Sequence, residues 1–186
     1  MEDYVYILDY LQPGRGGNKG RDPVAYGVGE SEFRLFEMIA KPDAKIDFGS
    51  RMYIGPETAK KDGIAFVKRR IGFNDLTATA QGELEYAVNA IVMANEQKYV
   101  GFYNNAQGLS LKKHALEELP GLGKKTMMAI LDERKKGNFK SFADLAERVP
   151  SVKQPETFIV KRIIEEISEN DHKHYLFVPR DAPRRA

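Results

Sequence analysis

Residues 116–131 read LEELPGLGKKTMMAIL, and this stretch constrains the fold more than any other in the chain. A proline, a glycine, one leucine and a second glycine are followed at once by a run with helical spacing, Met127, Ala129, Ile130 and Leu131. Glycine permits positive φ and close backbone approach, so Gly121 and Gly123 predict a tight turn between helices, with Leu122 tucked into a core to pin it. Lys124 and Lys125 then fall in the first turn of the following helix, where the dipole disfavours cations by about 0.3–1 kcal/mol each. The N–H groups at that end lack intrahelical partners. A bound phosphate resolves the conflict, because it accepts from those N–H groups and reverses the sign of the local field. Thr126 adds a hydroxyl donor. The bland alternative is a tight helix–helix turn whose lysines only keep the surface soluble.

The rest of the chain agrees with a defined anionic footprint. Net charge is only +2, but residues 109–140 carry a net of +4 while residues 74–108 carry −3. A local basic patch on a near-neutral protein points to a polyanion partner, with Lys112 and Lys113 extending the patch around Lys124. With 186 residues, 42% hydrophobic and 30% charged, the chain can build one medium domain or two small ones. There is no cysteine, which excludes disulfides, thiol catalysis and cysteine-based zinc sites and fits a reducing cytoplasm. No apolar run approaches the ~20 residues that span a bilayer, and MEDYVYILDY does not read as a signal peptide. The expected location is cytoplasmic, with no membrane partner.

Along the chain, strand-like segments come first: YVYILDYL (4–11), VAYGVG (24–29), EFRLFEMIA (32–40), RMYIG (51–55) and IAFVKRRI (64–71). Glycine, proline and aspartate separate them. Short strands without a long amphipathic helix predict a small OB-like β-barrel over residues 1–73. Residues 74–108 read as a connecting helix and turn. Leu84, Val88, Ile91 and Val92 lie on one face from Leu76 to about Tyr99, Asn74 or Asp75 is the candidate cap, and GFYNNAQG is the turn. Residues 109–170 read as paired helical hairpins. Ser110 caps a helix carrying Leu111, Ala115 and Leu119; Ser141 and Asp144 resemble a capping box; Pro155 opens a last helix with Val160, Ile163, Ile164 and Ile167. Leu119-Pro120-Gly121-Leu122 is echoed 30 residues later by Val149-Pro150-Ser151-Val152, which lacks both glycines. Residues 171–186 read as an extended basic tail. The fold class expected is α+β, a barrel followed by an all-α unit.

LEELPGLGKKTMMAIL resembles the helix-hairpin-helix motif of DNA- and RNA-handling proteins. That resemblance implies backbone contacts to phosphates without sequence reading. Some members of the motif hold a monovalent cation on hairpin carbonyls, which by position are those of Glu117, Leu119 and Leu122; no cation or other cofactor is expected here. The order YVYILDYL, basic glycine loop, GESEFRLFEM, RMYIG, LPGLGKK and FADLAERV is similar to an archaeal family of uncharacterised proteins predicted to bind nucleic acid, with an OB-like barrel before a helix-hairpin-helix unit. Members are often encoded near translation and ribosomal-RNA-modification genes. The resemblance implies RNA ahead of DNA as ligand, and ribosomal or RNA-processing proteins as further partners.

Other candidates add to or compete with this reading. Arg15, Lys19 and Arg21 in the glycine-rich loop 14–22 are a candidate phosphate-contacting arm, though no G-x-x-x-x-G-K-[ST] pattern fits there or at GLGKKT. Tyr26 and Tyr53, beside glycines, are the tyrosines best placed to stack a base. Lys68, Arg69 and Arg70 read by default as a solvated strand edge, with a contact to a nucleic-acid backbone as the alternative. His172 and His174 lack the further ligands a metal needs. DNA glycosylases place a catalytic aspartate soon after a helix-hairpin-helix, and Asp144 follows Gly123 by 21 residues, but it reads better as a capping acid. No catalytic constellation stands out, so a non-catalytic nucleic-acid-binding protein is expected. The alternatives are a DNA-binding module and a protein–protein adaptor using the paired hairpins.

Overall fold

The computed structural model describes residues 2–14, 22–169 and 171–180. These form strands β1 (Tyr4–Leu11), β2 (Val24–Gly29), β3 (Leu35–Ala40), β4 (Arg51–Tyr53), β5 (Ile64–Ile71), β6 (Gly108–Ser110) and β7 (Lys113–His114). The α-helices are α1 (Ala78–Ala94), α2 (Glu96–Asn105), α3 (Lys124–Lys135), α4 (Phe142–Arg148) and α5 (Pro155–Ser168). The fold is mixed α+β, and among the described residues no helix is long and apolar enough to cross a membrane. Two compact units emerge, Met1–Val88 with Ile164–Ala186, and Asn89–Ile163. Their limits cut across the segments 1–73, 74–108, 109–170 and 171–186 drawn from the sequence. The boundary falls inside α1 and inside α5, and the segment after α5 belongs to the first unit.

In the first unit all five strand segments form, in the order β4-β1-β2-β3-β5, every pair antiparallel. The expected barrel is instead a curled half-barrel, since β4 and β5 are its two edges and do not pair with each other. Register shifts between Ile7 and Asp9 of β1, and at two places along the β3–β5 pair, bend the sheet without closing it. Alternation places Val5, Ile7, Ala25, Met38, Ala40 and Ile64 in one cluster. Tyr6, Leu8, Val28 and Leu35 are buried on the opposite face. β3 begins later than its sequence suggests, because Phe33 sits at φ 57 and is buried. Glu2 shapes that loop by accepting from the N–H groups of Ser31 and Glu32 at 2.8 and 2.6 Å. Glu166 of α5, itself buried, accepts from the N–H groups of Leu176, Phe177 and Val178 at 2.7, 3.0 and 2.8 Å, which fastens the following segment.

The helical part differs from expectation at two places. The helix read from Leu76 to Tyr99 starts at Ala78, capped by the Thr77 hydroxyl (3.1 Å from Ala80 N) and not by Asn74 or Asp75. It stops at Asn95, whose side chain donates back to the Ile91 carbonyl, and resumes as α2, so that most of the expected turn is helical. Ser110 does not start a helix. β6 and β7 form a small hairpin followed by a 3-10 turn at Ala115–Glu118, and Leu111 points fully into solvent. The His114 imidazole accepts from Leu116 N while Glu117 accepts from His114 N, a capping pair that fits a short turn in place of a helix.

In the second unit Tyr99, Tyr103, Leu116, Leu119, Ile130, Leu145, Ile159 and Ile163 are buried. The Tyr103 hydroxyl donates to the Pro155 carbonyl at 2.6 Å, fixing the start of α5. Ser141 caps α4 as expected, accepting from Asp144 N at 2.9 Å.

Candidate functional site

The turn at Leu119–Gly123 is built locally. Leu119 and Leu122 are buried, and Leu122 N donates to the Leu119 carbonyl at 3.1 Å. Gly121 sits at φ +83, where an L side chain is strained. Gly123 differs: its φ is −71 and nothing lies within 4 Å of a Cβ added there. Its glycine is required neither by the backbone nor by packing.

Gly123 is the N-cap of α3 and supplies no side-chain cap. The first regular α3 bond runs from Met127 N to the Gly123 carbonyl, so the N–H groups of Lys124, Lys125 and Thr126 have no partner among the described residues. The first turns of α1 and α3 carry no acid, whereas those of α2, α4 and α5 carry Glu96, Asp144 and Glu156. Lys124 and Lys125 are exposed and Thr126 half-buried, so bare donors and two cations share one helix end.

The wider patch is smaller than its charge count. Lys113 pairs with Glu118 at 2.7 Å, Lys135 with Asp132 and Lys136 with Glu133. Arg134 donates to the carbonyls of Tyr103 and Ala106 at 3.1 and 2.8 Å, closing the end of α2. What remains with no ion-pair partner among the described residues is Lys112, Lys124, Lys125 and Lys140. Arg148 and Arg162 also serve backbone carbonyls. Arg148 holds those of Glu133 and Gly137 at 2.6 and 2.9 Å, and Arg162 that of Glu118 at 3.2 Å. Sequence reasoning missed all three arginine clamps. Their signal lies in the ends of distant helices, which no local pattern reports.

The other candidates separate. Arg15, Lys19 and Arg21 lie outside the described residues. Tyr26 is half-buried on β2, opposite Asp9 and Glu37 on the neighbouring strands, and burial first, then Glu37, pushes its hydroxyl pKa up. Tyr53 is half-buried with its ring edge against Tyr4 at 5.2 Å, and its hydroxyl accepts from Glu57 N. Lys68 and Arg69 are not merely solvated, since both bond the buried Glu37 at 2.6 and 2.7 Å. Asp144 accepts from Lys140 N at 2.9 Å, and that bond first, with Arg148 adding to it, holds its carboxyl below the usual range. Its carboxylate is engaged in the helix start. His172 lies 3.7 Å from Glu169, and among the described residues no group of three or more histidines, aspartates or glutamates could hold a metal.

The echoed turn has the same skeleton. Val152 N donates to the Val149 carbonyl at 2.9 Å, both side chains being buried. Ser151 replaces the first glycine, and Pro155 at the start of α5 removes one donor from that helix end. The two turns are related in structure but unequal in donors.

The chain is 42% identical over 179 residues to an uncharacterised protein of Methanocaldococcus jannaschii, MJ0038, covering 96% of this chain and 80% of that one. It is similar to the crystal structure of Af1531 from Archaeoglobus fulgidus at 41% identity and a TM-score of 0.89, covering 96% of this chain and 100% of that one. Af1531 is described by the same family model that matches residues 1–179 here, so the chain belongs to DUF655, a family of proteins of unknown function with archaeal members.

Proposed function

We propose that this protein binds nucleic acid, RNA ahead of DNA, without catalysis, through phosphates at a helix-hairpin-helix-like turn. The observation that carries the reading is the bare N-terminus of α3. Three backbone N–H groups, two exposed lysines and an N-cap glycine that the fold does not require converge on one helix end. A phosphodiester there accepts from Lys124, Lys125 and Thr126 and removes the conflict between the lysines and the dipole. Lys112 supplies a further cation from the β6–β7 hairpin. Phosphate contacts position a ligand without reading bases, so binding is only weakly dependent on sequence. The family resemblance favours RNA and a setting in translation or ribosomal-RNA maturation, with ribosomal or RNA-processing proteins as neighbours.

The test is fluorescence anisotropy with labelled single- and double-stranded RNA and DNA across salt, for wild type and the Lys124→Glu/Lys125→Glu variant. Circular dichroism verifies that both are folded. If about 4 phosphates are held, log K falls against log salt with a slope of about −3 to −4, and the variant loses most binding. Tighter binding to DNA would make the protein a DNA-binding module. Equal binding by the variant would remove the phosphate site from α3. No binding to any of the four ligands would leave the adaptor reading, in which the paired hairpins dock a protein.

A further inference from the structure

The two edges of the half-barrel in the first unit are not alike. β4 has three residues, and its cation is already engaged: Arg51 forks onto Glu30 at 2.9 and 2.7 Å and stacks on the Tyr4 ring at 3.4 Å. β5 has eight residues, and in the sheet it pairs with β3 alone. An edge of that length carries a row of main-chain donors and acceptors that another strand can take up.

The side chains of β5 specify the kind of strand. Val67, opposite Met38, faces the core, so Phe66, opposite Ile39, faces the other way, and it is 52% exposed. Lys68 is an extra residue between the Glu37–Arg69 and Met38–Val67 pairs. Lys68 and Arg69 therefore both reach Glu37, at 2.6 and 2.7 Å, on the face that carries Phe66. Glu37 fixes the two cationic heads and leaves each half-exposed, and the strand itself contains Lys68, Arg69 and Arg70 but no acid. Two cations against one buried carboxylate keep a net positive charge beside an exposed aromatic ring.

Possible occupants meet this edge differently. A second copy brings its own β5 with the same cations, and like charges across a strand pair repel, so the bulges and cations guard the edge against self-pairing. A nucleic acid answers the charge but has no peptide main chain to complete the ladder. An extended acidic segment answers both. We propose that β5 is a docking edge for an acidic, extended segment of a partner protein, which joins the half-barrel as an added strand with carboxylates toward Lys68 and Arg69 and an apolar side chain on Phe66. This inference is independent of the phosphate reading at α3.

The experiment uses the full chain and a fluorescein-labelled peptide of about eight residues, with glutamates in its first half and valine and threonine in its second, the antiparallel complement of β5. One control is the same peptide N-methylated at every amide, which keeps the charge and removes the main-chain donors. Wild type should bind the unmodified peptide, more weakly as salt rises, and hydrogen exchange read by mass spectrometry should slow in residues 64–71. The N-methylated peptide should bind about tenfold more weakly, the worth of one or two hydrogen bonds. Phe66→Thr keeps a strand-forming residue and should weaken binding about threefold, the scale of one cross-strand pair. Lys68→Gln leaves Arg69 on Glu37 and should reduce the salt dependence, whereas Lys124→Glu/Lys125→Glu should bind the peptide as wild type does. Equal binding of the N-methylated peptide, or unchanged exchange in residues 64–71, would overturn the docking edge without touching the protein's fold. No binding at millimolar peptide would overturn it as well. Protection of residues 64–71 by a labelled oligouridylate, and not by the peptide, would overturn it and give the edge to nucleic acid. The phosphate reading at α3 stands or falls separately, on the RNA binding of the Lys124→Glu/Lys125→Glu variant.

Discussion

Replacing Gly121 and Gly123 by alanine, one at a time, separates what the turn needs to fold from what it leaves open to a ligand. At Gly121 an added Cβ meets a Phe158 ring carbon at 3.6 Å, ordinary contact, so packing adds no penalty. The backbone does, because φ is +83 and an L residue in the left-handed region costs about 1–2 kcal/mol. Reduced freedom of the unfolded chain returns about 0.4–1 kcal/mol, which leaves Gly121→Ala destabilised by about 1 kcal/mol. At Gly123, φ −71 and ψ 162 suit any residue and the space is empty. The same unfolded-state gain is there offset by the poorer fit of alanine at an N-cap, and the net change stays within about 0.5 kcal/mol. Urea denaturation followed by circular dichroism measures both, and equal m-values verify that only stability has changed. The melting temperature of Gly121→Ala should fall by about 2–4 °C, that of Gly123→Ala hardly at all. If a ligand reaches the α3 donors through the open space at Gly123, the order reverses in RNA anisotropy and the stable variant is the weaker binder. Equal destabilisation by the two substitutions would refute the backbone argument. Unchanged RNA binding by Gly123→Ala would refute the claim that its glycine serves a ligand.

Arg148→Met removes charge-assisted bonds to the Glu133 and Gly137 carbonyls and should cost about 1.5–3 kcal/mol in urea denaturation; Arg148→Lys should not restore it, since one ammonium cannot reproduce the fork. Burial first, and then Arg134, holds the His114 pKa below its ordinary 6.5, although Glu117 opposes the shift, and its Nδ1 must be unprotonated to accept from Leu116 N. The folded state therefore disfavours the proton. Stability is complete above 6.5 and declines as pH falls through the region below it, and His114→Asn should flatten that part of the pH profile of the urea midpoint. For Glu37 burial is the largest influence and raises its pKa, but the bonds from Lys68 and Arg69 outweigh it and hold the carboxyl below 4.5. Its contribution is present above that value and lost as pH falls through the folded value, so Glu37→Gln should be less stable than wild type at pH 7, with the gap closing in acid.

Local chemistry made much of this protein legible in its sequence. The five strand segments of the first unit could be read from β-branched and aromatic runs between turn residues, because strand propensity and breakers act over a few positions. The turn at Leu119–Gly123, the bare end of α3 and the Ser141 cap were equally readable, since each depends on residues within about four positions of one another. The tertiary structure decided everything that depends on a distant partner. The expected helix at Leu111–Leu119 has the right spacing, yet Gly108 and Ser110 pair with β7, and the capping pair of His114 and Glu117 tightens residues 115–118 into a 3-10 turn. The strand order, and with it the gap between β4 and β5, comes from bulges and pairings between segments far apart in the chain. Arg134 counts in sequence toward the basic stretch 109–140, and only folding turns it, with Arg148 and Arg162, onto backbone carbonyls, leaving Lys112, Lys124, Lys125 and Lys140 as the cations of that stretch with no ion-pair partner among the described residues. The physical reason is range: a dipole, a cap or a turn residue acts on its own neighbourhood, whereas the partner of a long charged side chain is chosen by whichever backbone the fold brings within reach.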